Sequence, residues 1–192
     1  MLPESSARLR IATVLSIVGH PFVVMPATVA LTVRPLKVAL AIALLTVIAM
    51  LAVIARRVRR GEWSDYDVSD PRQRHGFYPI ALSIVGAAAL ACWLLAAPAG
   101  LVRAMIVALA VLALAGLLTR WTKVSLHMLI DTFCVVTLAS MDLRAAAALA
   151  LLVVAVGWSR VALRRHTIAQ VLLGVVLGAI GGVVLGVLNS IA

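Results

Sequence analysis

Runs of about 20 predominantly apolar residues recur along the whole of this 192-residue chain. That repetition restricts the fold more than any other feature. A run of this length crosses the hydrocarbon core of a bilayer as a helix, because only a helix or a closed barrel satisfies its own backbone polar groups there. Seven candidate spans are read at roughly 11–33, 37–55, 78–98, 101–118, 124–141, 144–158 and 167–189. The first is interrupted by His20-Pro21 and by Pro26, so a kink is expected. The sixth, at about 15 residues, is marginal as a full span. Only 12% of residues are charged and 64% are hydrophobic, whereas a soluble domain carries roughly 25% charged residues. The expected fold is all-α: one polytopic membrane bundle over 1–192, with six or seven transmembrane helices. Chemistry in such a chain is confined to short connections and helix ends.

The connections fall into two classes. Arg34 to Lys37, Pro98 to Gly100 and Met141 to Arg144 are tight and poor in polar groups. Arg56 to Phe77, Arg120 to Lys123 and Trp158 to His166 are richer. If the spans alternate, the rich connections and the N-terminal segment share one face. Arg34, Lys37, Arg103 and Arg144 then lie opposite, leaving 13 of the 17 Lys and Arg on the rich face. The positive-inside rule makes that face cytoplasmic in a plasma (inner) membrane, although arginines recruited for a phosphate group inflate the same count. The net charge of +10 points to anionic lipid headgroups or an anionic substrate, not to nucleic acid. Arg8 and Arg10 precede the first run, which reads as a retained helix more than as a cleaved signal.

Other features take bland readings. Cys92 and Cys134 lie inside apolar runs and imply no disulfide. Trp63, Trp121 and Trp158 fit an interfacial aromatic belt. Gly174, Gly178, Gly182 and Gly186 form a small-residue ridge for close packing, inside the bundle or in a homodimer. His75 reads as a loop histidine and His20 as a polar residue at the kink.

Three polar clusters carry the chemistry. The first runs from Asp65 to His75 and holds Asp65, Asp67, Asp70, Arg72 and Arg74. In the second, Lys123, His127 and Asp131 recur every four residues, which places them on one helix face beside Ser125. An ionisable residue inside a span, such as Asp131, is costly and is a functional hypothesis by default. The third is the strip Ser159 to Gln170, with Arg160, Arg164, Arg165 and His166. A histidine among arginines at a membrane edge suits phosphate-ester chemistry, in which cations take up oxyanion charge. Gln170 follows His166 by one turn, where it is expected to orient the ring.

The strip Ser159-Arg160-x5-His166 resembles the third signature of the type 2 phosphatidic acid phosphatase superfamily, Ser-Arg-x5-His-x3-Asp. Lys123-Val124-Ser125-Leu126-His127 resembles its second signature, Pro-Ser-Gly-His, in the Ser-x-His core. The resemblance covers roughly residues 56–175. It implies that His166 is a nucleophile forming a phosphohistidine and that His127 is the general acid. It also implies that Arg160 and Ser125 hold the phosphoryl oxygens, with Lys123, Ser159 and Arg165 beside them, and that no metal cofactor is used. The chain departs from the pattern in three places. No Lys stands at the spacing of the first signature, Lys-x6-Arg-Pro, where Arg72 and Arg74 are the substitutes. Val124 and Leu126 replace Pro and Gly. Gln170 replaces the Asp, while Asp131 keeps the same offset from His127, so an exchange of roles between the histidines is an alternative.

The expected activity is therefore hydrolysis of a lipid phosphomonoester or diphosphate, with a polyprenyl substrate favoured by the number of cations. A phosphatidate or phosphatidylglycerophosphate substrate, a phosphotransferase, and a non-catalytic lipid-binding protein are the alternatives. Asp65, Asp67 and Asp70 as ligands of a divalent ion are a weaker one, set against a solvated loop whose acids pair with Arg56 to Arg60.

Overall fold

In this computed structural model, residues 4–191 are described, and their regular elements are all helical. They are α1 (Glu4–Val18), α2 (Pro21–Thr32), α3 (Leu36–Arg59), α4 (Pro71–Leu94), α5 (Ala99–Leu118), α6 (Leu126–Ala139), α7 (Leu143–Ala162) and α8 (Ile168–Ser190). Among the described residues, α3, α4, α5, α7 and α8 are each long and apolar enough to cross a membrane. Taken as one broken span, α1 and α2 make a sixth. Large apolar side chains point outward, as with Leu45 at 64% and Val183 at 57% exposure. Such surface is a liability in water and ordinary in lipid. The chain is an integral, multi-pass, all-α membrane protein.

The spans differ from expectation where polar residues continue a helix. The fourth helix starts at Pro71, seven residues before the apolar run, because the Asp70 side chain accepts from the Arg72 N–H at 2.8 Å and Pro71 takes the first turn. Arg72, Arg74 and His75 are therefore helical, not loop, residues. The seventh helix covers 20 residues instead of about 15, because Ser159 and Arg160 extend it as buried side chains. Its start is capped by Asp142, which accepts from the Arg144 and Ala145 N–H groups, both at 3.0 Å. The marginal element is α6, with 14 residues. At 1.5 Å per residue it is about 21 Å long, short of the roughly 30 Å hydrocarbon core.

The helices gather into two compact units. One comprises the chain through Thr28 together with Val124–Val187, so it holds α1, most of α2, α6, α7 and most of α8. The other comprises Val29–Lys123 and the chain from Leu188.

In the first unit, Met128, Val153, Val156 and Val171 form a core between α6, α7 and α8. Here α8 lies backbone-close to α6. A Cβ on Gly174 would meet the Ser125 carbonyl oxygen at 2.5 Å, one on Gly178 the Leu129 oxygen at 2.2 Å, and one on Gly182 the Val136 Cβ at 2.5 Å. The glycine ridge thus serves this internal contact, while Gly186 has nothing within 4 Å. Between α1 and α2 the chain bends by 42°. Pro21 disfavours helical geometry at His20, and the His20 ring then caps the new helix. Its Nδ1 accepts from the Phe22 N–H at 3.2 Å.

In the second unit, α4 packs on α3 and α5. The Thr119 hydroxyl on the end of α5 donates to the Tyr78 hydroxyl at 3.1 Å. Trp63 is not at an exposed belt position: it is buried, 6.1 Å from the Phe77 ring and under the Arg57 guanidinium at 5.9 Å. Trp121 is 74% exposed.

Candidate functional site

The first unit holds an unusual set of buried polar side chains. Ser125, Asp131, Ser159 and Arg160 are at most 1% exposed, and His127 and His166 are nearly as deep. Their placement follows from three local devices.

The first device joins the second cluster to the third. Ser125 is the residue before α6 and has extended backbone, φ −78° and ψ 105°. Its N–H donates to the Gln170 carbonyl at 3.2 Å. The start of α6, with His127 in its first turn, is thereby fixed against the start of α8. One consequence is that Lys123 lies before the helix. The four-residue spacing places His127 and Asp131 on one face of α6 but leaves Lys123 outside it, in the other unit.

The second device is the turn after α7. Arg164 takes a positive φ of 54°. The Arg165 and His166 N–H groups donate to the Arg160 carbonyl at 3.0 and 3.2 Å. Thr167 and Gln170 then form a capping box. The Gln170 N–H donates to Thr167 Oγ1 at 3.3 Å, and Gln170 Oε1 accepts from the Thr167 N–H at 3.2 Å. Gln170 is thus placed otherwise than expected: its amide oxygen is engaged by the helix start rather than by the imidazole of His166. His166 is buried at that start, while Arg165 is half-buried and Arg164 exposed. The Ser159 hydroxyl is spent on its own helix, donating to the Val156 carbonyl at 2.7 Å.

The third device is α1. Arg160 Nη1 donates to the Ser16 hydroxyl at 2.8 Å. At the bend between α1 and α2, the His20 ring meets the His127 ring edge-on, with centroids 4.7 Å apart and planes at 76°. Gly19 permits α1 to approach α7, since a Cβ there would meet Val156 Cγ2 at 2.2 Å. Ser16 and His20 therefore belong to this polar set. For His20 the sequence signal is a histidine at a helix break, beside a proline that by itself accounts for the break.

Asp131 is fully buried, and neither carboxylate oxygen has a hydrogen-bond partner among the described residues. The charge of Arg160 acts on it. The Asp131 carboxylate accepts no hydrogen bond from the His127 ring. Ser125 Oγ and Thr132 Oγ1 are likewise buried without a partner. A groove of about 530 Å³ runs between α6, α7 and α8, with Met128, Thr132, Val153, Gly157, Trp158 and Ile168 in its walls.

The first cluster lies in the second unit. Arg74 is buried, and its Nε donates to the Val68 carbonyl at 3.1 Å, across a residue with a positive φ of 47°. Arg72 is exposed. Asp65 Oδ1 accepts from the Asp67 and Ser69 N–H groups at 2.9 and 3.2 Å, and Asp70 caps α4. Two of the three acids considered as metal ligands are thus turn and cap acceptors. Arg57 and Arg60 pair with Glu62.

The chain matches no protein-family model, no curated protein and no solved structure.

Proposed function

We propose that the protein is a membrane phosphatase acting on a lipid phosphomonoester or diphosphate through a phosphohistidine. The observation that carries this reading is the burial of Arg160, His127, His166 and Ser125 within one unit of a membrane protein. Burying a guanidinium and two imidazoles is expensive unless an anion or a reaction repays it. The likeness of Ser159 to His166, and of Ser125 to His127, to the signatures of the type 2 phosphatidic acid phosphatases supports the same reading.

In this scheme Arg160 and the Ser125 hydroxyl bind the phosphoryl oxygens. An imidazole nitrogen of His166 attacks the terminal phosphorus, its bond to the leaving oxygen breaks (the lipid oxygen of a monoester, the bridging oxygen of a diphosphate), and protonated His127 gives its proton to that oxygen. Water then attacks the phosphohistidine, giving its proton back to His127, and inorganic phosphate leaves. Asp131 lies buried on α6, one turn beyond His127. The groove between α6, α7 and α8 receives the lipid tail, and a polyprenyl chain is the favoured one. His166 is the nucleophile in this scheme, as the likeness of its strip to the third signature implies.

The test uses purified protein in detergent with farnesyl diphosphate, a long polyprenyl diphosphate and phosphatidate. Phosphate release that disappears in His166→Ala and His127→Ala supports the reading. Trapped phosphate on His127, or no release from any substrate, overturns it.

A further inference from the structure

Among the described residues, two contacts from Ser16 and His20 reach the polar set and have no part in the scheme above. Ser16 is buried on the last turn of α1 and accepts from Arg160 Nη1 at 2.8 Å. His20 stands at the break and touches His127 edge-on, with ring centroids 4.7 Å apart. Its ring is held from two sides, by the Phe22 N–H on Nδ1 and by the Phe22 ring at 4.6 Å. An imidazole nitrogen that accepts a hydrogen bond carries no proton, so the neutral His20 ring keeps its proton on Nε2.

We propose that the α1–α2 break is a positioning element of the site: His20 fixes the ring plane of His127, and Ser16 fixes the guanidinium of Arg160. Three features support this. The break is built by Gly19 and Pro21, which bring α1 against α7 and end the helix at His20. An edge-to-face ring pair has a preferred geometry and therefore orients as well as packs. A guanidinium bonded through one nitrogen keeps its remaining donors in a fixed fork. The functional consequence rests on the phosphatase reading; the contacts themselves do not.

The test separates the two. His20→Asn retains a capping side chain, since Asn is among the best N-cap residues, but removes the ring. Ser16→Ala removes the acceptor for Arg160 and Ser16→Thr restores it. With ¹⁵N-labelled histidine in detergent, the four ring systems are read by NMR. The expected spectrum shows His20 protonated on Nε2. It also shows the His127 resonances shifted in His20→Asn while those of exposed His75 stay in place. Phosphate release is expected to fall in kcat by roughly 10- to 100-fold in His20→Asn and Ser16→Ala, with KM and melting temperature little changed, and to recover in Ser16→Thr. A His20 proton on Nδ1, unmoved His127 resonances, or a wild-type kcat in both variants overturns the proposal. If the wild-type protein releases no phosphate, the phosphatase reading fails and the NMR arm alone decides the positioning.

Discussion

The backbone N–H of Ser125 donates to the carbonyl of Gln170, so the segment leading into α6 is tied to the first turn of α8. His127 stands two residues after one partner of this bond and His166 four residues before the other. A backbone hydrogen bond thus ties together the segments that carry the two histidines. The same crossing is tightened by Gly174, whose missing Cβ leaves room for the Ser125 carbonyl.

The α6–α8 crossing yields the first prediction. At Gly178 an added Cβ would lie 2.2 Å from the Leu129 carbonyl oxygen, and backbone cannot swing aside as a side chain can. Gly178→Ala is expected to lower stability by about 1–3 kcal/mol, the usual cost of overpacking. Gly186→Ala, with nothing within 4 Å, is expected to leave it unchanged or slightly raised. Thermal unfolding of both variants in the same detergent checks this, and equal melting temperatures would refute the crossing.

Arg160 and Asp131 should be energetically coupled. Both are essentially inaccessible, and the charge of one acts on the other. Arg160→Met removes the cation that acts on Asp131, and whatever part of its cost comes from that interaction vanishes when residue 131 is already Asn. Arg160→Met should therefore cost less in the Asp131→Asn background than in the wild type. A double-mutant cycle by chemical unfolding reads the coupling directly, and strict additivity would contradict it.

How much of this was legible in sequence depends on the kind of signal. Apolar runs marked the helices because burial in lipid needs only composition and length. Their ends were less legible. Arg160 and Ser159 read as loop because they are polar, yet α7 carries them inward, where Ser16 waits 144 residues away in sequence. No local pattern encodes that pairing. The start of α4 was signalled by Asp70-Pro71, but the basic residues that follow hid it. The Thr167-x-x-Gln170 capping box is a local motif and was readable. It competes in the sequence with a second reading of Gln170, as a partner for the His166 ring one turn before it. His20 was masked in the same way by Pro21.

The capping role of Gln170 has a consequence that distinguishes it from an orienting role. Gln170→Ala removes the acceptor for the Thr167 N–H and is expected to cost about 1 kcal/mol of stability. Gln170→Glu keeps the box, because Glu and Gln both serve at that position. Under the proposed function, Gln170→Glu should keep both the melting temperature and phosphate release of the wild type. An orienting amide would predict the reverse order, with activity lost in Gln170→Glu at unchanged stability. Paired measurements of melting temperature and kcat separate the two.

The last prediction concerns metal. In the proposed reaction the charge on the phosphoryl oxygens is met by Arg160 and by hydrogen-bond donors of the first unit, and the leaving oxygen is protonated by His127. No step requires a divalent cation to polarise the substrate. Phosphate release from a monoester is therefore expected to persist in EDTA at the untreated rate. The acidic loop sharpens the comparison. Asp65 and Asp70 hold backbone N–H groups there, so Asp65→Asn and Asp70→Asn should retain release while modestly lowering stability, since an amide oxygen still caps. If EDTA abolishes release and Mg²⁺ restores it, the metal-free scheme is wrong. If Asp65→Asn then shifts the Mg²⁺ concentration needed, the acidic loop is the ion's site.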